Sequence, residues 1–389
     1  PHLSPLSPPH LTAASMAALI RRFRTFPEPQ PPAELLSNAA ANERVLWWRR
    51  GGMGLFEHGA ILTEFVPAIV LQYHLVYCDA LSLRVAAATL SFVSFREGIK
   101  TGDGSVVASI LMPLYFLTIA FGVLLPRPLV TIGAAFLLAG VKLGVCMSVC
   151  LHRWAAHGAF SCSYPFAVVL SVLGCLATQG GPVWWGSKHR VHHAYCEKAR
   201  DPHSPRWRGL IGAFAWFGKE NKYVDLEHVP VHLEGTLLLL IDTYSFLPTL
   251  VELACAFRYF GVTGLYISYV AGAVCKVGSL WFNVTNHPPE QRVDRRGCGA
   301  VDDVHKEALQ TPNVFFAVVQ EVTWPYTFLI GEAAHDHHHV HPALAHRPGG
   351  VDLPYYFFIR PLEACGLVWG VKHMRAEHKW VGATGGSKG

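Results

Sequence analysis

The chain has 389 residues, of which 51% are hydrophobic and only 15% are charged. An ordinary soluble domain carries roughly 25% charged residues, so this composition indicates an integral membrane protein. The net charge of +5 is modest, and no nucleic-acid partner is predicted. Ten scattered cysteines form no Cys-x-x-Cys pair, which argues against a zinc ribbon, and we expect them to be buried free thiols.

The first 50 residues are expected to be a disordered or targeting segment. Residues 1–27 contain no Asp or Glu, but they include several Pro and Ser together with Arg21, Arg22 and Arg24. This composition suits an organelle transit peptide, and a disordered tail explains it as well. Residues 51–375 are predicted to form one membrane domain, and residues 376–389 a flexible tail.

Four apolar runs are predicted to cross the membrane as two helical hairpins. They cover about residues 105–125, 129–151, 235–257 and 260–284. Each run meets the roughly 20 residues that cross the hydrocarbon of a bilayer. The first is uncharged and the second has Lys142 as its only charge. Prolines between them mark the turn of the first hairpin.

The uncharged segment Pro165–Gly181 decides where the histidines of the chain lie. If it crossed the bilayer, the histidines before and after it would lie on opposite faces, so we predict a buried or re-entrant segment. Lys and Arg are concentrated in 188–222, whereas the opposite turns contain only Arg127 and Arg258. The positive-inside rule therefore puts the histidines on the cytosolic side, or on the stromal side in a plastid.

Three histidine clusters are predicted to share this membrane end. They are His152 and His157, then His189, His192 and His193, and last His335, His338 and His339. Offsets of 0, 3 and 4 put each trio on one helix face. Asn283 and His287 share a further helix face at the same end. Nine imidazoles without an organised carboxylate set predict two borderline metals, with iron favoured for chemistry on oxygen.

These clusters resemble the histidine boxes of the integral-membrane fatty acid desaturases of the acyl-CoA and stearoyl type. The likeness covers about residues 105–375, and Asp201-Pro202-His203-Ser204 is similar to the segment just downstream of the family's second box. Ser187-Lys188 directly before that box looks closer to the plant and cyanobacterial branch, some of whose members act on lipid-bound acyl chains. His203, His337, His341 and His346 are expected to be bystanders.

The resemblance implies an all-α membrane fold with a histidine-rich cap that holds a di-iron centre. The nine histidines would bind two Fe²⁺ ions, and Asn283 would hold one metal through water. The implied activity is O₂-dependent formation of a cis double bond, expected at the Δ9 position, in a saturated fatty acyl chain. That chain would be carried by coenzyme A or by a membrane lipid.

Electrons for this reaction must come from a partner, either cytochrome b5 in the endoplasmic reticulum or ferredoxin in a plastid. No electron-transfer domain is recognisable in the sequence. His346-Arg347-Pro348-Gly349-Gly350 faintly suggests the haem motif of cytochrome b5, but the remaining chain leaves no room for that domain.

Further site residues are predicted from their places beside the ligands. Selecting one carbon in a uniform chain requires an apolar tunnel, and its candidates are Trp154, Trp184, Trp185, Trp281 and Phe282. Candidates for binding a head group or an acidic electron donor are Lys188, Arg206, Arg208 and Lys219. Candidates to orient the imidazoles are Glu332, Asp336 and Asp201.

Two other functions are compatible with a histidine-rich membrane protein. A di-iron hydroxylase of lipids or alkanes shares the oxidant, but the spacing of the first box favours the desaturase. A metal transporter or a non-enzymatic scaffold predicts ionisable residues along a path through the helices, whereas the two cleanest spans are nearly free of charge.

Overall fold

The computed structural model describes residues 61–75, 115–214, 216, 221, 224–289, 292–294, 296–303 and 314–378. The described chain is mostly helical, which confirms the predicted class of secondary structure. Strands β1 (Ser161–Cys162) and β2 (Val368–Trp369) form a short antiparallel pair. The predicted N-terminal segment, most of the predicted tail and the first part of the run over 105–125 lie outside the described residues.

The helices are numbered in chain order. They are α1 (Val66–Leu75), α2 (Tyr115–Leu124), α3 (Pro128–Val141), α4 (Tyr164–Cys175), α5 (Pro182–Tyr195), α6 (Pro205–Phe214), α7 (Thr236–Thr243), α8 (Phe246–Thr285), α9 (Val314–Leu329), α10 (His335–Val340) and α11 (Arg360–Ala364). Three stretches wind as π-helix, namely Ile61–Phe65, Lys142–Ala156 and Tyr355–Ile359. The last three residues of α2, Gly122–Leu124, wind as a 3-10 helix, and further short 3-10 turns are Leu226–His228 and Val231–Leu233.

Two helical stretches of the described chain are long and apolar enough to cross a membrane. They are Pro128–Ala156, with a mean hydropathy of 2.1, and Phe246–Thr285, with a mean hydropathy of 1.4. Helix α8 packs against α3 and α9, and both α4 and α5 pack against the π-helix Lys142–Ala156. Helix α4 has 12 residues, fewer than the roughly 20 that a spanning helix needs.

Helix α8 reverses its direction at Gly261. This residue has φ 61° and ψ −151°, a conformation that a side chain would strongly disfavour. Ser268 Oγ donates a hydrogen bond to Glu252 Oε1 at 2.6 Å, although 16 residues of a straight helix would span about 24 Å. The two arms, over 246–260 and 262–285, therefore lie side by side.

The chain over 235–257 does not form one continuous helix. Helix α7 ends at Thr243, and Tyr244 and Ser245 separate it from α8. Pro248 lies in the first turn of α8, where its missing N–H leaves no helical hydrogen bond unmade. The helix therefore restarts just before the proline rather than continuing through it.

Buried ion pairs join the helices of the apolar bundle. Lys142 Nζ lies 2.6 Å from Glu252 Oε2, and only 4% and 22% of the two side chains are exposed. Lys276, in the second arm of α8, pairs with Glu64, which also accepts a hydrogen bond from the hydroxyl of Tyr115. Each lysine therefore has a carboxylate partner inside the bundle.

Candidate metal centre

The first histidine pair depends on the π-helix Lys142–Ala156. The N–H of His157 donates to the carbonyl oxygen of His152 at 3.2 Å, a bond from residue i to residue i−5. In an α-helix this offset would place the two side chains about 140° apart. The π-helical turn brings both rings to the same side, with 5.0 Å between their centroids.

Helices α5 and α10 each divide their three histidines in the same way. The Nε2 atoms of His189 and His193 lie 3.1 Å apart, and those of His335 and His339 lie 3.3 Å apart, as expected for residues four apart on a helix. The remaining residue of each trio turns to the other side. His338 Nε2 lies 2.9 Å from His193 Nε2, and His192 Nε2 lies 3.3 Å from His339 Nε2.

The nine predicted histidines thus form two adjacent groups of ring nitrogens. The five-histidine group contains His152, His157, His189, His193 and His338, and the four-histidine group contains His192, His287, His335 and His339. Within each group the nitrogen atoms all lie within 4.8 Å of one another. The two groups adjoin, because the stacked rings of His193 and His339 have centroids 4.3 Å apart.

His287 lies just beyond the end of α8 rather than on its face. The helix ends at Thr285, and the buried side chain of Asn286 donates hydrogen bonds to Val301 and Asp303, which fixes the next turn of the chain. His287 Nε2 then comes within 2.9 Å of His335 Nε2. The prediction that Asn283 and His287 share one helix face is therefore wrong, because the helix ends before His287; Asn283 lies half-buried in the last helical turn.

Three carboxylates contact the outer nitrogens of the histidines. Glu332 lies 3.3 Å from His152 Nδ1, Asp201 lies 2.9 Å from His192 Nδ1, and Glu197 lies 3.1 Å from His287 Nδ1. Because a carboxylate accepts, each ring donates its Nδ1–H and turns the lone pair of Nε2 toward its group.

The sequence predicted two of these three carboxylates. Asp336, the other candidate, instead pairs with Arg296 at 2.7 Å, and 43% of its side chain is exposed. Glu197 was missed, and its only signal in the sequence is a carboxylate soon after the second cluster. Nothing in the sequence indicates that it would meet a histidine after α8.

Burial keeps the imidazoles in the neutral form. It lowers the pKa of seven of them well below the usual value, and the charges of neighbouring histidines or of Arg347 add to this effect. The seven are His157, His189, His192, His193, His335, His338 and His339. A neutral imidazole is the form that binds a metal.

The carboxylate of Glu332 is held in its charged form. Burial alone would raise the pKa of this group, but the charge of Arg347 leads the effects that lower it, and the pKa lies below its usual range. The pKa of Asp201 is raised by burial, so the two carboxylates lie in different electrostatic surroundings.

A disulfide between Cys196 and Cys298 lies against the four-histidine group. Cys196 Sγ is 3.9 Å from His287 Nδ1, and Cys298 Sγ is 3.4 Å from His339 Nδ1. The expectation of free thiols is therefore wrong for this pair, which is 102 residues apart in the chain. The other cysteines in the described part of the chain are free thiols.

Two of the five predicted tunnel aromatics contact the histidine groups. Trp185 stacks on His189 with 4.7 Å between ring centroids, and Phe282 meets His335 edge to face at 4.9 Å. The ring contacts described for the other three are with different partners: Trp154 with His232, Trp184 with Trp216, and Trp281 with Phe214.

The predicted docking residues are not equivalent in the structure. Lys188 is only 3% exposed, and burial lowers its pKa to about 8 against the opposing charge of Asp225. A buried amine cannot reach a docking partner, so Lys188 is no longer a candidate for binding a head group or an electron donor. The side chain of Arg206 is 32% exposed, Arg208 is half-buried, and Lys219 lies outside the described residues.

The nitrogen separations fit two metal ions. Two nitrogens that bind one metal at about 2.1 Å and at a right angle are about 3.0 Å apart. The closest Nε2 pairs within the groups are 2.9 to 3.3 Å apart, and His157 Nε2 is buried with no hydrogen-bond partner described. Imidazole donors suit iron among other metals. Fold and site thus define a helical protein with a nine-histidine centre.

Several known proteins are similar in sequence to parts of this chain. A probable chloroplastic lipid desaturase of Arabidopsis thaliana is 34% identical over 156 residues, which cover 37% of this chain and 40% of that protein. Delta-9 acyl-lipid desaturase 1 of the same plant is 26% identical over 248 residues, 59% of this chain and 71% of its own. Acyl-CoA desaturase 1 of Saccharomyces cerevisiae is 37% identical over 67 residues, 17% of this chain and 13% of its own.

The chain is therefore similar in sequence to fatty acid desaturases, which are oxidoreductases. No family model matches the chain. The chain spans 40% of the length of the first of these relatives.

Proposed function

We propose that the protein is a membrane-bound fatty acyl desaturase that forms a cis double bond at the Δ9 position of a saturated, lipid-bound acyl chain. The observation that carries the proposal is the convergence of nine buried imidazoles into two adjacent groups. In the balanced reaction, the acyl –CH₂–CH₂– unit, O₂, two electrons and two protons give –CH=CH– and two waters. Two of the four electrons that reduce O₂ come from the acyl chain, and two come from a donor.

The five- and four-histidine groups would each hold one ferrous ion, with Asn283 adding a contact through water. Bound iron supplies the activation of O₂ that an unactivated methylene requires, because no acidic or basic side chain can remove its hydrogen. The groups provide five and four nitrogen donors, so each bound iron ion would have room for a small further ligand. Glu332, Asp201 and Glu197 keep three of the rings oriented for this binding.

The acyl chain would pass between the aromatic rings that touch the two groups. Trp185 lies against the five-histidine group and Phe282 against the four-histidine group. Both rings offer apolar surface next to the reacting centre, which helps to exclude water and to fix the chain. Trp154, Trp184 and Trp281 would support this surface from behind, because all three are buried.

The proposed membrane placement has four crossing segments: the run over 105–125 that ends with α2, the stretch Pro128–Ala156, α7 together with the first arm of α8, and the second arm of α8. Pro128–Ala156 ends at the first histidine pair, and the second arm of α8 ends just before His287. Because the two histidine groups adjoin, both helices end on the same side. We assign this side to the stroma of a plastid, or to the cytosol for an enzyme of the endoplasmic reticulum.

Two relationships support a lipid-bound substrate over a coenzyme A thioester. The similarity to the acyl-lipid desaturase covers 59% of the chain, whereas that to the acyl-CoA desaturase covers 17%. In addition, Lys188 directly before the second cluster is buried, so it offers no surface charge to a coenzyme A phosphate. Electrons would come from ferredoxin in a plastid or from cytochrome b5 in the endoplasmic reticulum.

The test is expression in a host that lacks its own desaturase, followed by gas chromatography and mass spectrometry of the fatty acids in each lipid class. We expect a new monounsaturated acid with its double bond at carbon 9 in membrane lipids. The His192→Ala/His193→Ala variant should form none, and the matched control His341→Ala should keep the product. Identical profiles for wild type and the double variant would contradict the proposal, and a hydroxylated product would identify a hydroxylase.

A further inference from the structure

Residues 345–352 fold back beneath the first histidine pair. This segment contains His346-Arg347-Pro348-Gly349-Gly350, the motif for which the proposed function has no use. Arg347 and Asp352 are fully buried, with 0% of each residue exposed. Burying a guanidinium and a carboxylate completely is costly unless both are paired, so their contacts indicate what the segment does.

Arg347 binds the carboxylate that contacts His152. Its Nη1 donates to Glu332 Oε2, while the other oxygen, Oε1, lies 3.3 Å from His152 Nδ1. Oε1 also accepts from Ser148 Oγ at 2.5 Å and from Arg153 Nε at 3.4 Å. Glu332 is therefore fixed from two sides by guanidinium groups and on a third side by a hydroxyl.

A second carboxylate completes the balance of charge. Asp352 accepts from Arg153 Nη1 at 2.9 and 3.0 Å, from His346 Nδ1 at 2.9 Å and from the backbone N–H of Arg347 at 3.3 Å. Two buried guanidiniums thus meet two buried carboxylates. The network ties the segment after α10 to the π-helix, which carries His152 beside Arg153.

The network also provides an acceptor for the proton that His152 carries on Nδ1 when its Nε2 binds a metal. Nδ1 has two polar neighbours, Glu332 Oε1 at 3.3 Å and Arg347 Nη1 at 3.4 Å. Arginine can only donate, so of these two neighbours only Glu332 can accept the proton of a protonated Nδ1. Its Nε2 lone pair then faces His338 Nε2 at 3.0 Å, inside the five-histidine group. The opposite tautomer would point a proton into that group.

We propose that Arg347 is a positioning residue for the five-histidine group: it holds Glu332 in the place where the carboxylate fixes the tautomer of His152. This inference rests on the proposed function, because it concerns the affinity of one of the two iron sites. Loss of such an outer hydrogen-bond partner typically lowers metal affinity about 10–100-fold. The four-histidine group has its own partners, Asp201 and Glu197, and does not depend on Arg347.

The test is titration of the purified, detergent-solubilised full chain with ferrous iron against a competing chelator. We expect wild type to bind two equivalents, and Arg347→Met to bind one of the two about 10–100-fold more weakly. Arg347→Lys, which keeps a positive charge next to Glu332, should recover part of the affinity. Arg296→Met is the matched control, because Arg296 pairs with Asp336 on the helix of the third cluster without contacting a ring nitrogen.

Glu332→Gln keeps the experiment decisive if Arg347→Met fails to fold. An amide can donate to His152 Nδ1 and release the tautomer, so the same single site should weaken. Wild-type affinity at both sites in either variant would overturn the positioning role, as would equal weakening of both sites. A wild-type chain that binds no iron would instead overturn the proposed function, so the two failures are distinguishable.

Discussion

The Nε2 atoms of His152 and His338 lie 3.0 Å apart, although 186 residues separate the two histidines in the chain. His193 Nε2 lies 2.9 Å from the same His338 nitrogen. The third histidine cluster thus reaches both upstream clusters through one side chain, while His335 and His339 of the same short helix face the four-histidine group. This division predicts that neighbouring residues of α10 serve different metal sites.

Substituting His338 and His335 should separate these sites. We expect His338→Ala to lose iron from the five-histidine group and His335→Ala to lose it from the four-histidine group, so that each variant retains about one of two ions. Mössbauer spectra of iron-57-loaded protein measure which of two environments persists. If both variants lost the same spectral component, the assignment of the two groups would be wrong.

The hydrogen bond between Asp201 and His192 should control iron binding at the four-histidine group. Asp201 Oδ2 accepts from His192 and from the backbone N–H of Glu197, and Oδ1 accepts from the N–H of His203. The Asp201→Asn amide must turn its NH₂ toward one of these donors. We expect iron affinity to fall about 10–100-fold at one site. Asp336→Asn, whose carboxylate faces Arg296, should leave the chelator titration unchanged.

Gly331 should be sensitive to any side chain. It has φ +72°, and a Cβ there would lie 2.4 Å from Cγ of Asp352. Gly366 has φ +71°, but a Cβ there would meet no atom within 4 Å in the described structure. Left-handed backbone costs about 1–2 kcal/mol at either position, and only Gly331→Ala adds a clash.

Thermal unfolding in detergent measures this difference directly. Gly366→Ala should lower the unfolding temperature slightly, and Gly331→Ala should lower it clearly further. Equal shifts for the two variants would show that the approach of Asp352 to Gly331 is not tight.

Reduction of the Cys196–Cys298 disulfide should destabilise the protein. In the chain-entropy account, cross-linking a loop of about 100 residues contributes up to about 4.7 kcal/mol, and measured values are usually about 2–4 kcal/mol. We expect dithiothreitol to lower the unfolding temperature of wild type and of the control Cys365→Ser, whose thiol is free and exposed. The Cys196→Ser/Cys298→Ser variant should already unfold at the lower temperature and should not respond.

Thiol titration of the denatured chain provides the independent measurement for the disulfide. Wild type should bind two fewer equivalents of a thiol reagent before reduction than after it. An unchanged titre would show that the two cysteines are not joined.

The helical class and the histidines that come together were predictable from the sequence, because both are associated with regular residue spacings. An offset of 0, 3 and 4 is visible without a structure, as it is in His189, His192 and His193. The division of each trio between two groups was not predictable, because it depends on how α5 and α10 face each other. The predicted bystanders His337 and His341 have no ring nitrogen in either group.

Contacts between segments that are distant in the chain produce no regular residue spacing, so they could not be predicted from the sequence. The offset of His152 and His157 fits a π-helix, which has no recognised sequence signature. Glu197 and Arg347 orient histidines that lie 90 and 195 residues away from them. Nothing in the sequence distinguishes Gly261 from the other glycines of the chain, because the reversal there is visible only in the contact between Glu252 and Ser268.

The pairing of Lys142 with Glu252 has a consequence for biosynthesis. A lysine at the centre of a lone helix opposes insertion into the bilayer by about 2.5–3.5 kcal/mol. Its carboxylate partner lies 110 residues later in the chain, so it leaves the ribosome long after Lys142 has reached the translocation machinery. In the proposed membrane placement, we therefore expect the helix that carries Lys142 to become fully stable in the bilayer only when the arm that carries Glu252 packs against it and neutralises the lysine.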